Sequence, residues 1–579
     1  MRHGDFGARL LAPDTVEFRL WAPDAGQVAV MLKSGAHEMR RDASGIFSVT
    51  AHAAAGEHYK FRINNDTAVP DPASRRQSRD VHDESVIVNP AYAWRHPHWR
   101  GRPWHESIIY EVHPGAYGGF AGILAQLPRL AAMGITAIEL MPIADFPGKH
   151  NWGYDGVLPY APDTAYGTTE DLRQLIDAAH GCKLQIFLDV VYNHFGPDGN
   201  YLNAYAKSFF RDDIQTPWGS AIDFRRPQVR RFFIENALYW LHEYRFDGLR
   251  FDAVHAIGDE GFLLEMAAEI RSSVPPGRHV HLILENENND AALLRADPAE
   301  AKFDAQWTDD WHHCLHVLLT GESEGYYGDF KNAADQLARC LSEGFAYQGE
   351  ASAYAQGAAR GSPSGHLPGT AFVICLQNHD QIGNRALGER LTALAAPRAL
   401  RAAVALLLLT PQIPMLFMGE EWGETRPFLY FTDHEPELGA LVREGRRKEF
   451  TRFAAFANPQ TRNRIPDPNA HETFHISRPV PAENEWSTLY AACLEARHAH
   501  ITARVPDSVS LGATALAGAA VRAAWRMNDG AILTVAVNLG AAPVACDTPE
   551  HEVLFSTDEA AGRSGMLAGF TTMAWLTCP

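Results

Sequence analysis

From about Glu106 to near residue 500, short and nearly continuous apolar runs alternate with amphipathic segments. No other feature constrains the fold as strongly. The runs are residues 107–112, 137–141, 184–191, 248–251, 282–284, 371–376 and 414–418. A strand that is apolar on both faces belongs in a parallel sheet covered on both sides. Helical patterns lie between the runs. Thr168 and Asp171 have the spacing of a capping box, followed by Leu172, Leu175 and Ile176 on one helical face. Phe233, Ala237, Trp240 and Leu241 mark a second helix, and Phe262, Met266 and Ile270 a third. Seven or eight strand–helix units over about four hundred residues predict an α/β fold, a (β/α)8 TIM barrel with enlarged loops. The rival is a doubly wound open sheet, but no G-x-G-x-x-G follows the first strand.

The flanks read differently. Val16, Phe18 and Leu20 alternate with Glu17 and Arg19, and Tyr59, Phe61 and Ile63 alternate with Lys60 and Arg62. This is the period of half-buried strands. Residues 1–95 are therefore expected to form an Ig-like β-sandwich, the shape of many carbohydrate-binding modules. Residues 69–76 and 89–103 read as linkers packed on a neighbour. The barrel is expected over 96–500. A second β-sandwich is expected over 501–579, where residues 531–539 and 573–576 are the clearest strands.

Composition removes several classes of function. The net charge of −19 argues against a nucleic-acid partner, which requires clustered Lys and Arg. The seven cysteines lie singly, with no C-x-x-C pair, so neither a disulfide framework nor a zinc ribbon is expected. The first residues lack the apolar core of a signal peptide, and the longest apolar run, near 402–409, is too short to span a bilayer. A cytoplasmic protein without a membrane partner is the expectation.

Barrel chemistry collects at the C-terminal ends of the strands. One run ends on Asp189, Asn193 and His194, and the next on Arg250, Asp252 and His255. A third ends on Glu285, and another on Asn378, His379 and Asp380. Arg250 and Asp252 share one strand face, so the cation is expected to hold the carboxylate ionised. Read alone, Arg-x-Asp is a structural ion pair. Polar groups at four strand ends together point instead to carboxylate acid/base chemistry or to a metal site. The nearest metal-like stretch is Asp309-Asp310-Trp311-His312-His313, which reads better as a loop bonding substrate or backbone than as a divalent-cation site.

The blocks DVVYNH, GLRFDAVHAI, ILENEN and LQNHD resemble, in order, the four signature regions of the α-amylase superfamily, glycoside hydrolase family 13. The resemblance implies Asp252 as nucleophile, Glu285 as general acid/base and Asp380 as transition-state stabiliser. It also implies that Asp189, His194, Arg250 and His379 hold the nucleophile or the sugar, and that Tyr154 stacks on the sugar ring. His255 stands where many amylases have lysine, so leaving-group contacts are expected to differ. A retaining mechanism needs one ionised and one protonated carboxyl group about 5–5.5 Å apart. The negative charges of Asp252 and Asp380 are expected to raise the pKa of Glu285.

The N-terminal β-domain and the strand IIYEVHPGAY resemble the branching-enzyme-like branch of that family. Within it, DPASRRQ, TPWGSAIDF, the stretch 306–330 and GEEWGETRPFLYFTDH are similar to hydrolases that release trehalose from maltooligosyltrehalose. The resemblance implies a maltooligosyltrehalose or other α-glucan oligosaccharide as partner, with no cofactor and no bound metal. Trp218, Trp307, Asp310, His313 and Tyr326 are the expected acceptor-side contacts, each also readable as ordinary packing. The alternatives are a 1,4-α-glucan branching enzyme and, in another class, an inactive carbohydrate-binding or chaperone-like subunit.

Overall fold

The structure, a computed structural model, describes residues 4–216, 219–452, 454–456, 458–547, 553–558 and 565–578. Eight parallel strands close into a barrel. In chain order they are β1 (Ile109–Val112), β2 (Ala137–Leu140), β3 (Gln185–Val190) and β4 (Gly248–Phe251), then β5 (His281–Leu284), β6 (Ala305–Trp307), β7 (Phe372–Cys375) and β8 (Ile413–Phe417). Seven of them fall on the apolar runs. The sixth, Ala305–Trp307, is only three residues long and carries a glutamine at its centre, so it has no apolar signature.

Inward-facing side chains fill the barrel. Ile109, Ala137, Phe187, Ile283, Val373 and Ile413 pack there as a separate cluster. Above them the pleat brings charged groups inward, since residues two apart share a face. The register sets Glu111 beside Glu139 and Asp189 beside Arg250, a polar layer immediately below the strand ends.

The helices have the expected local causes. Thr168 and Asp171 close a reciprocal capping box on α1 (Thr169–Gly181), whose side-chain and backbone bonds measure 2.9 and 3.1 Å. Pro227 opens α2 (Pro227–His242), where its missing N–H costs nothing. Asp259 caps α3 (Glu260–Ser273) by accepting from the Phe262 amide at 2.8 Å. Further along, α4 (Asp309–Thr320) follows β6, α5 (His379–Gly383) follows β7, and α6 (Pro397–Leu409) precedes β8.

Ahead of the barrel lie a four-stranded and a five-stranded antiparallel sheet, with Val16, Phe18, Leu20, Tyr59, Phe61 and Ile63 buried between them. The connecting segment packs on the barrel as expected. Arg75 pairs with Glu243 at 3.0 Å, and Trp99 Nε1 donates to Asp247 Oδ1 at 2.9 Å. After the barrel, a five-stranded antiparallel sheet is buried on both faces. One face packs Ala520, Ala536, Met573 and Trp575 against a two-stranded pair at Val544–Ala545 and Met566–Leu567. The other face joins the main core through Val521, Leu533, Val535 and Ala574, and Thr572 Oγ1 donates to Ala402 O of α6 at 2.7 Å. Among the described residues no helix is long and apolar enough to cross a membrane.

Candidate active site

Arg250 is the hub of the strand ends. Its side chain is fully buried and its guanidinium lies 4.1 Å above the centre of the Trp307 ring. Nη1 donates to Asp189 Oδ2 at 2.7 Å and to Asp252 Oδ1 at 2.9 Å, and Nη2 sits 2.9 Å from Glu285 Oε2. One cation thus bridges three carboxylates from three adjacent strands. The backbone reinforces the junction. The Asp252 amide donates to Val190 O, and the Glu285 amide donates to Phe251 O. Asn193 Nδ2 holds the second oxygen of Asp252 at 3.1 Å.

Ala253 takes a left-handed conformation, φ 39° and ψ 50°, which costs an L-residue of this kind about 1–2 kcal/mol. The turn aims its N–H at Glu285 Oε2, 2.9 Å away. Sequence gave no hint of this strain, because alanine is indifferent to most backbone positions.

The β7 end closes the other side. Asn378 caps α5 by accepting from the Asp380 and Gln381 amides. His379 Nδ1 is 2.5 Å from Glu111 Oε1, and its Nε2 is 2.9 Å from the Tyr154 hydroxyl and 3.5 Å from Asp380 Oδ1. Tyr154 stacks on the His379 ring at 5.2 Å and donates to Asp189 Oδ2 at 2.7 Å. His194 Nε2 meets the Tyr154 carbonyl at 2.9 Å.

The electrostatics differ from expectation. Arg250 was expected to keep Asp252 ionised while neighbouring anions raised Glu285. Instead Asp252 is pushed well above the ordinary carboxylate range, by burial first and by Glu285 next, against the pull of Arg250. Burial raises Glu285 too, but Arg250, the Ala253 N–H, His379 and His255 together draw it below its ordinary value. Two carboxyl groups on one guanidinium titrate as a pair. Each also has a second fixed donor, Asn193 Nδ2 for Asp252 and the Ala253 N–H for Glu285. Burial and the Glu285 charge also raise Asp380, against the pull of His379. Burial alone would lower His379, but Asp380 and Glu111 lift it to about 9. His194 is lowered to about 4 by burial.

A cavity of about 260 Å³ opens beside Glu285 and Asp380, lined also by His255, Asp309, His313 and Tyr326. His255, His313 and Tyr326, three of the expected acceptor-side contacts, line this cavity. Two other expected contacts do not. Asp310 is fully buried, and its carboxylate accepts from Asn289 Nδ2 and from the Ala346 and Tyr347 amides while pairing with Arg360. Trp307 lies beneath Arg250 and is 3% exposed. Trp307 closes β6, and Asp310 lies in the first turn of α4. Asp189 also sits below the sugar-facing surface, with Oδ2 spent on Arg250 and Tyr154. Trp218 lies outside the described residues. His312, from the metal-like stretch, bonds the Leu376 carbonyl and the Tyr327 hydroxyl.

Sequence reasoning missed Asp309 and Arg360 in the wall and Glu111 below it. Burial, with Glu285 and Asp380 nearby, lifts Asp309 to about 7. For Glu111 a signal was present: a carboxylate in the middle of a four-residue buried strand has to have a partner.

Three family models match the chain: carbohydrate-binding module 48 (isoamylase N-terminal domain) over residues 5–93, the α-amylase catalytic domain over 100–218, and a domain of unknown function over 509–575. A malto-oligosyltrehalose trehalohydrolase of Deinococcus radiodurans is 41% identical over 81% of this chain and 77% of its own length. The one from Saccharolobus solfataricus is 42% identical over 77% of this chain and 80% of its own length. A 1,4-α-glucan branching enzyme of Corynebacterium jeikeium is more distant, 28% identical over 71% of this chain and 61% of its own. Among solved structures, one described as a putative α-amylase from Salmonella typhimurium superposes with a TM-score of 0.94 at 41% identity, covering 99% of this chain and all of that one.

Proposed function

The chain belongs to the malto-oligosyltrehalose trehalohydrolases of the α-amylase superfamily, and from that premise we propose a reaction and the residues that perform it. The protein is a glycoside hydrolase. It cleaves the α-1,4 bond beside the terminal trehalose of a maltooligosyltrehalose, freeing trehalose and a shorter maltooligosaccharide. Asp252 is the nucleophile, Glu285 the acid/base and Asp380 the stabiliser of the oxocarbenium-like transition state. The observation that carries the reading is the meeting of Asp252 and Glu285 on one guanidinium, with a cavity opening beside Glu285 and Asp380.

Tyr154, His194 and His379 hold the sugar to be cleaved on the Asp252 side. An Asp252 oxygen attacks the anomeric carbon as Glu285 passes its proton to the glycosidic oxygen. Trehalose then leaves through the cavity. Water, deprotonated by Glu285, next attacks the glycosyl ester and releases Asp252, so configuration is retained. His255, His313 and Tyr326 form the wall that meets the leaving disaccharide.

The test is incubation with maltotriosyltrehalose and, separately, with amylose. Free trehalose from the first with little cleavage of the second is expected; new α-1,6 links in amylose would establish a branching enzyme instead. Asp252→Ala is expected to lower turnover by about four orders of magnitude or more while leaving the fold intact. Retained activity would remove Asp252 from its role.

A further inference from the structure

Glu111 is 1% exposed and unused by the reaction above. It reaches across from β1 to grip His379 at two points. Oε1 meets ring Nδ1 at 2.5 Å, and Oε2 accepts the His379 backbone N–H at 3.2 Å. The hydrogen bonds determine the state of the ring. Nδ1 faces a carboxylate, which accepts. Nε2 faces the Tyr154 oxygen, whose own hydrogen is committed to Asp189 Oδ2. Both ring nitrogens therefore donate, and the ring is an imidazolium. Asp380 faces it at 3.5 Å. His379 draws down both Glu139, which burial raises, and Glu285; Arg250 opposes its protonation, and His113 is lowered by burial first and by His379 after it. Trp152 and Trp307 pack their rings against it.

The grip also orders the backbone. The first amides of the α5 turn are held from two directions: that of His379 by Glu111, and those of Asp380 and Gln381 by Asn378. A turn fixed in this way has little freedom to carry Asp380 away from the sugar.

We propose that Glu111 is a positioning residue for the reaction, a clamp that keeps the His379 imidazolium against Tyr154 and Asp380 and anchors the turn bearing Asp380. This rests on the role given to Asp380 above. Glu111 touches no substrate; it acts through His379. A plain structural ion pair would support stability and leave the pH dependence of turnover unchanged. The clamp instead sets the pH at which His379 loses its proton, which folded contacts hold at about 9.

The experiment is the pH profile of Glu111→Gln beside wild type, measured on whichever α-glucan the wild-type protein cleaves. The amide can still accept from the backbone N–H but carries no charge. The alkaline limb of kcat is expected to move to lower pH, so that kcat at pH 8 relative to pH 6 falls about tenfold with KM nearly unchanged. Coincident limbs in the two proteins would overturn the proposal, as would an effect confined to KM. Should Glu111→Gln fail to fold, the His379 ring can be titrated by NMR in the wild type, with its signal assigned from His379→Gln. A neutral ring at pH 7 would overturn the clamp. Absence of trehalose release by the wild type would instead count against the substrate assignment, which neither of these readouts uses.

Discussion

Arg250 shows why a pair of residues cannot be read as a pair. From sequence it had one neighbour on its strand face, Asp252; in the fold it serves Asp189 and Glu285 as well. Divided three ways, its charge does not outweigh the burial and the Glu285 charge that raise Asp252, while Glu285 is also held by the Ala253 amide. A consequence can be measured with maltosyl fluoride, whose fluoride leaves without an acid catalyst. In Glu285→Gln the negative charge that raises Asp252 is gone, so the acid limb of fluoride release is expected at lower pH than in wild type. The same acid limb in both proteins would show that Glu285 does not raise Asp252.

At the scale of the element, the helices were legible because their causes are local. The capping box on α1 involves residues three apart, and a chain that contains them needs no distant partner to use it. Removing it has a local cost. Thr168→Ala is expected to destabilise the first turn of α1 by about 1 kcal/mol, read as an increase of about fivefold in amide exchange at Asp171 and Leu172. Unchanged exchange would mean that packing alone holds that turn. The strand β6 was illegible for the opposite reason. Its middle residue, Gln306, is buried, with Nε2 bonded to Asn286 O and Asn289 Oδ1 at 3.0 Å each. A glutamine satisfied by groups seventeen and twenty residues earlier looks like a loop residue until the neighbouring β5 end is in place.

For the molecule as a whole, the flanking sheets are structural partners of the barrel. The helix α6 buries ten of its thirteen residues, including Leu406, Leu407, Leu408 and Leu409. It packs against the strands Ile532–Asn538 and Thr571–Thr577 of the C-terminal sheet. Arg497, fully buried, donates to Leu408 O and Gln412 O at 3.0 and 2.8 Å and so satisfies carbonyls at the helix end that would otherwise lack partners. Removing residues 509–578 is therefore expected to expose a leucine-rich surface and yield an aggregated protein, as judged by sedimentation and gel filtration. A soluble, active remainder would show that the barrel needs no such cover.

The sequence by itself determined the barrel, seven of its eight strands and the four strand ends that carry Asp189, Asp252, Glu285 and Asp380. Period-two and period-3.6 patterns are written in neighbouring residues, and motif order follows chain order. Tertiary structure alone decided that Arg250 serves three carboxylates, that Asp310 and Trp307 turn inward, that Asp309 and Arg360 enter the wall, and that Glu111 grips His379. Each of these depends on groups from strands far apart in the chain. Their charges and hydrogen bonds act over a few ångströms of space, a distance that sequence separation does not encode.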